Sequence, residues 1–300
     1  VRLRKAALAG GSISVVNPRD FDFRFPVADN RIVADMVAEP ATVASAALEL
    51  SGEEAPGALT GILEGVQPGE PHRRIARSLR DGTTTTLLLG QVAAGQPDFA
   101  VLRALAGLIA EATGARLGYL PEGANAAGAW LAGGVPHREM GGAPAERGGL
   151  DAAAMLAEPL DAYLLLGTEP ERDAAEPARA RAALSRAGFV VSVNPWLSEA
   201  AREHADVVLP CGSFAETSGT YVNAEGRWQS FRGAARPVGE SRPAWKILRV
   251  LGNLLGVSGF DYESSTEVLE EARARIGEVT PDNRMSWPEA DGRRALVGLT

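Results

Sequence analysis

Ala162-Tyr-Leu-Leu-Leu166, Phe189-Val-Val-Ser-Val193 and Val207-Val-Leu209 are three short apolar runs, each bounded by a glycine, a proline or a polar turn. Glu176–Ala187, Ala-rich and ended by Gly188, lies between the first two, and Ser198–His204 lies between the second and third. Short Val- and Leu-rich runs read as buried strands, and the segments between them read as crossover helices. Strand, helix, strand, helix, strand at this spacing implies right-handed connections. The expected fold class is therefore α/β, with doubly wound, mostly parallel sheets.

The same alternation extends toward the N-terminus. Ser12–Val16 reads as a strand, Ile32–Leu50 as a helix closed by Ser51-Gly52, and Glu53–Glu70 as a Gly/Pro-rich connection. Thr83–Leu89 is an apolar, β-branched run suited to a strand covered on both faces. Asp98 is placed to cap Phe99–Ala112, with Gly114 at its end, and Leu117–Leu120 makes a further strand. Pro121–Gly149 is dominated by Gly and Ala without a period and reads as a long loop. Beyond the three central strands, Pro243 starts an apolar helix over Ala244–Leu255, and Ser264 with Glu267 forms a capping box for a helix through Arg275. The expected division is a partial α/β domain over 1–118, a second α/β domain over 119–260 and a helical tail over 261–300.

Composition narrows the function. The chain has 300 residues, 45% hydrophobic and 23% charged, which is the profile of a folded globular protein. No apolar run of about eighteen residues is free of charge, so no transmembrane helix is expected. A formal charge of −8 argues against a nucleic-acid partner. One cysteine, Cys211, excludes a disulfide within the chain and an iron–sulfur or Cys-based zinc site built from this chain alone. His72, His137 and His204 have no metal-ligand spacing, and none is a local base for Cys211, which is read as a buried structural thiol. The chain opens at Val1 in a helical pattern, Arg2–Leu8, and closes in another, Gly292–Val297; a central fragment of a longer subunit is expected.

One motif speaks directly of a ligand. Leu166-Gly167-Thr168-Glu169-Pro170 carries a strand into a turn where backbone N–H groups can face an anion. A lone glycine without G-x-G-x-x-G is a weak phosphate signature, and a tight βα turn is the simpler reading.

The stretch from 206 to 245 adds a family likeness. Asp206-Val-Val-Leu-Pro210 is followed by Glu216-Thr-Ser-Gly-Thr-Tyr-Val-Asn223, Glu225-Gly-Arg-Trp-Gln229 and Pro237-Val-Gly-Glu-Ser-Arg-Pro-Ala-Trp245. This order resembles the molybdopterin oxidoreductase superfamily, and within it the large iron–sulfur G subunit of proton-pumping NADH:quinone oxidoreductase (complex I). The likeness covers about residues 1–258. It implies a crevice in which Gly167, Thr168, Asn194 and Asn125 mark the position of a molybdopterin guanine dinucleotide in cofactor-bearing members. Here Pro195 stands where formate dehydrogenase-like members carry a guanine-reading Asp, and Glu199 and Ala201 stand where they carry Thr hydroxyls. The expectation is therefore a vestigial crevice, with no catalytic residue, no metal and no cofactor in this chain, and Trp196 packed at a strand end. Glu216 and Arg227 are candidates for an ion pair, and exposure of Trp228 and Phe231 would mark a protein interface. The resemblance further implies iron–sulfur clusters in a region outside the chain, other peripheral-arm subunits as partners, and a peripheral place on the cytoplasmic face of a bacterial inner membrane. The competing expectation is a catalytic-subunit fragment of a molybdopterin guanine dinucleotide oxidoreductase of the formate dehydrogenase or nitrate reductase type.

Overall fold

The computed structural model describes residues 2–158 and 160–278 together with Met285, Trp287 and Pro288. The chain divides into two compact units, one of Val1–Glu122 with Pro281–Thr300 and the other of Gly123–Thr280.

The first unit runs α1 (Arg2–Leu8), β1 (Ser14–Asn17), β2 (Asp29–Ile32), α2 (Ala38–Ser51), α3 (Thr60–Leu63), α4 (Glu70–Asp81), β3 (Thr86–Leu89), α5 (Gln91–Ala94), α6 (Phe99–Thr113) and β4 (Arg116–Tyr119). β1 pairs in parallel with β2, and β3 in parallel with β4. α6 is apolar nearly all round and is accordingly buried from Val101 to Ala110 except at Arg103. It packs on α2, whose Ala41, Ala44, Ala46 and Ala47 are fully or almost fully buried and let the helices approach closely. Leu59 and Leu105 fill the centre.

A charged cluster ties β2 to the helices. Glu39, buried in the first turn of α2, takes Arg31 Nε at 2.5 Å and His72 Nε2 at 3.2 Å. His72 Nδ1 accepts the Gly69 N–H at 3.1 Å and so caps α4. Buried Asp29 holds Arg74 of α4. Burial pushes the Glu39 carboxyl up, but the hydrogen bond and charge of Arg31, joined by His72, outweigh it and leave the group below its ordinary value.

The second unit runs α7 (Ala126–Leu131), α8 (Ala152–Ala157), β5 (Ala162–Leu166), α9 (Pro170–Asp173), α10 (Pro177–Leu184), β6 (Phe189–Asn194), α11 (Glu199–His204), β7 (Val207–Pro210), β8 (Gly219–Val222), β9 (Trp228–Phe231), α12 (Ala244–Leu254) and α13 (Ser265–Ile276). β5, β6 and β7 form a parallel sheet in that order, and β8 and β9 an antiparallel hairpin. Tyr163, Leu165 and Val190 pack with Leu184 and Ala183 of α10 on one face of the sheet. The opposite face is apolar too, yet Leu164, Leu166, Phe189 and Val207 are exposed on it. Consecutive parallel strands with like-handed crossovers place their helices on a single side.

The mostly parallel α/β architecture is the one expected, with several local differences. Ile32 ends a strand rather than opening a helix, because Asp29–Ile32 pairs with β1. β3 starts at Thr86, and Thr86 and Leu88 are exposed, so it is not covered on both faces. Pro121–Gly149 holds α7 and a 3₁₀ turn at Met140–Gly142. The Ser264 cap is present, its hydroxyl oxygen accepting the Glu267 N–H at 3.2 Å. The helical pattern over Gly292–Val297 lies outside the described residues.

Candidate functional site

The crevice lies at the carboxyl ends of β5, β6 and β7. β5 leaves the sheet through Gly167 at φ +62°, a left-handed conformation that disfavours any side chain. The Gly167 N–H stays on the sheet, donating to the Val193 carbonyl at 2.8 Å. The next donors turn toward the chain itself. The Asp173 carboxylate accepts the Glu169 N–H at 2.7 Å and the Thr168 hydroxyl at 3.2 Å. Pro170, which follows, has no N–H. The anion facing this turn is thus a side chain three residues beyond Pro170, at the end of α9.

Asn194 is buried, and its amide joins the neighbouring strand tips. Its Nδ2 donates to the Thr168 carbonyl at 3.1 Å, and its Oδ1 accepts the Trp196 N–H at 3.2 Å. Pro195 follows, then α11, where the Ser198 hydroxyl oxygen accepts the Ala201 N–H at 3.1 Å. Glu199 is exposed in the first turn of α11, where a carboxylate is favoured by the helix dipole. Trp196 is 65% exposed and not packed at the strand end. The reason is local: its N–H is held by Asn194, which starts a turn away from the sheet.

Gly167, Thr168 and Asn194 are therefore brought together, whereas Asn125 is engaged by the hairpin. Asn125 stands before α7, and its Oδ1 accepts the Val222 N–H at 2.8 Å. Gly128 makes this possible, because a Cβ there would collide with the Asn125 amide. The Gly-Ala-Asn-x-x-Gly stretch is thus a clamp between α7 and β8.

The hairpin is built by its own side chains. Asn223 Oδ1 accepts the N–H groups of Glu225 and Arg227 at 3.0 and 2.9 Å and shapes the turn. Tyr221 and Phe231 meet edge to face with ring centroids 4.9 Å apart. Trp228 and Phe231 are half-buried, and Arg273 of α13 lies over the Trp228 ring at 5.0 Å. Glu216 does not pair with Arg227; its carboxylate accepts the Ser213 N–H at 2.8 Å and caps the turn after Cys211. Cys211 is buried, and burial pushes its thiol above the ordinary range, so the thiolate form is disfavoured.

Two buried polar atoms near the crevice escaped the reading from sequence. Glu171 Oε1 and His204 Nε2 have no hydrogen-bond partner, although His204 Nε2 lies 3.6 Å from the Glu203 carboxylate. Both residues line a cavity of about 10 Å³ beneath Thr168 and Asn194, room for about one water. Among the described residues no three His, Cys, Asp or Glu side chains are grouped to hold a metal. No described helix is long and apolar enough to cross a membrane.

Residues 73–254 match the molybdopterin oxidoreductase family, and the chain belongs to that family. Within it, the chain resembles the G subunit of complex I: it is 40% identical over 150 residues to the G subunit of the NADH-quinone oxidoreductase of Streptomyces coelicolor, a match covering 42% of the chain and 17% of that protein. A putative formate dehydrogenase of Staphylococcus aureus is 35% identical over 125 residues, covering 37% of the chain and 12% of that protein. The chain thus spans less than a fifth of the length of either relative in the matched region. In fold it is similar to a chain of the formyltransferase/hydrolase complex of Methylorubrum extorquens, with a TM-score of 0.52 at 16% identity over 81% of this chain and 64% of that one.

Proposed function

We propose that the chain is a structural part of the G subunit of a respiratory NADH:quinone oxidoreductase, supporting electron transfer in the peripheral arm without a cofactor of its own. One observation carries the reading. The turn donors that would face a dinucleotide phosphate, the Glu169 N–H and the Thr168 hydroxyl, are already held by the Asp173 carboxylate. A second anion brought to the same donors would meet that charge at short range and displace two hydrogen bonds. The neighbouring positions agree. Pro195 offers a guanine edge no side-chain hydrogen bond, Glu199 adds negative charge, and the Asn194 amide is engaged on both its oxygen and nitrogen. These residues do not fit a molybdopterin guanine dinucleotide.

In this reading the electron carriers are iron–sulfur clusters held by other parts of the same polypeptide. The α/β units serve as scaffold beside them, on the cytoplasmic face of a bacterial inner membrane and among other peripheral-arm subunits. The likeness to the G subunit of Streptomyces coelicolor supports the assignment. The likeness to a putative formate dehydrogenase favours a second reading, in which the chain is a piece of a molybdopterin-dependent catalytic subunit. The two readings part on composition. Protein purified from its source is analysed for molybdenum, and for guanine nucleotide released on denaturation. Substoichiometric traces of both, with co-elution alongside an NADH-oxidising, flavin-bearing assembly, are expected. One molybdenum and one guanine nucleotide per chain would refute the proposal.

A further inference from the structure

The cavity of about 10 Å³ beneath the crevice is bordered by Glu171 of α9, by Ser198 at the start of α11 and by His204 at its end. The His204 side chain is 7% exposed, yet its Nε2 has no hydrogen-bond partner, and neither has Glu171 Oε1. The Glu203 carboxylate, 3.6 Å from Nε2, is too distant for a hydrogen bond. Two desolvated polar atoms thus share one small space, and such atoms are costly to leave unmet.

The other ring nitrogen fixes what the site can take. The Ser185 hydroxyl donates its one hydrogen to the Arg181 carbonyl at 2.9 Å. At its 3.5 Å contact with His204, Nδ1 must therefore donate and the Ser185 oxygen accept. An imidazole with its hydrogen on Nδ1 presents a lone pair at Nε2. Glu171 Oε1 is an acceptor as well, so the two cannot bond to each other directly. Between them belongs a donor of two hydrogens, no larger than a water.

We propose that this cavity is a binding site for one water, which donates one hydrogen to Glu171 Oε1 and the other to His204 Nε2. Its oxygen accepts from the Ser198 hydroxyl, which takes the Ala201 N–H and keeps its own hydrogen to give. Three bonds are the usual complement of a buried water. The water bolts α9 to α11. α9 has only four residues and is too short to hold its own shape; Glu171 is its second residue and Asp173 its last. Anchored through Glu171, it keeps the Asp173 carboxylate where it accepts the Glu169 N–H and the Thr168 hydroxyl. Glu171 and His204 are thus positioning residues for the turn above them. The water site rests on the geometry of the cavity and stands whichever reading of the crevice is correct.

Two measurements on the unaltered 300-residue chain test the site, both at about pH 8, above the ordinary histidine value of about 6.5. A crystal structure should show one water about 2.7–3.2 Å from both Glu171 Oε1 and His204 Nε2. A direct Glu171–His204 bond, an ion, or no density in the cavity overturns the proposal. Nitrogen-15 shifts of the His204 ring should show the hydrogen on Nδ1, and a hydrogen on Nε2 overturns it equally. Amide hydrogen exchange in Glu171→Ala tests the bolt. The Glu169 amide, which donates to Asp173, should exchange at least about ten-fold faster than in the parent, and the Val190 amide, which donates to Asp206, should not change. An unchanged Glu169 amide, or equal acceleration of both, refutes the positioning role. The first two measurements decide the water site even if the variant does not fold.

Discussion

Replacing Gly128 by alanine should have opposite effects depending on what stands at position 125. Gly128 lies inside α7 and is not in the left-handed region, so alanine there gains about 0.8–1.0 kcal/mol of helix propensity. The added methyl, however, occupies the space of the Asn125 amide and expels it from its bond to the Val222 N–H. Val222 is 2% exposed, and stranding its N–H costs about 1–3 kcal/mol. Gly128→Ala alone should therefore range from neutral to destabilising by about 2 kcal/mol. Asn125→Ala alone should cost about 1–3 kcal/mol. In the Asn125→Ala background the obstacle is gone, and Gly128→Ala should then stabilise by about 0.5–1 kcal/mol. Urea denaturation of the four proteins of this cycle supplies the measurement, the coupling energy being read from the midpoints. If Gly128→Ala shifted stability by the same amount and sign in both backgrounds, the clamp between α7 and β8 would not exist as described.

Three further outcomes follow from the packing and electrostatics. The folded Glu39 carboxyl titrates below its unfolded value, so its contribution is complete above about pH 4.3 and is lost as pH falls through the folded value. Glu39→Gln should cost about 1–3 kcal/mol near neutral pH, and urea melts should show that difference shrinking as the pH falls below the ordinary carboxylate range. Gly167→Ala meets no atom within 4 Å but must hold φ +62°, so it should cost about 1–2 kcal/mol by the same assay; an unchanged midpoint would contradict the left-handed turn. The Cys211 thiol, raised by burial, should react with a disulfide reagent at neutral pH at least about ten-fold more slowly in the folded chain than in urea, and equal rates would contradict its burial.

How much of this was legible in the sequence depended on whether the forming contacts were local. β5, β6 and β7 announced themselves because each is a compact apolar run closed by Gly167, Pro195 or Pro210, and the crossover helices start at Pro177 or behind the Ser198 cap. β2 did not, since Asp29-Asn-Arg-Ile is mostly polar and is held by Arg74, 45 residues away. α4 was hidden by its charges: only Ile75 and Ala76 are buried in a stretch otherwise rich in arginine. α7 was lost among glycines and alanines whose shared purpose emerges only from Asn125 reaching a strand 97 residues on. At the crevice, Gly167, Thr168 and Asn194 were readable as strand tips. Asp173 was not, because nothing in Pro170-Glu-Arg-Asp173 announces that its carboxylate folds back onto the preceding turn. Trp196 was misjudged for a related reason, as the turn that lifts it into solvent is set by an amide two residues earlier.

The carboxylate of Asp173, turned back onto its own loop, also bears on how the protein comes to maturity. A loop that must wait for a phosphate takes its final shape only after delivery, and remains hostage to whatever assembles and carries the cargo. A loop satisfied by its own polypeptide can set once β5 has paired with β6 and Asn194 has reached the Thr168 carbonyl, which on the proposed reading needs no cargo at all.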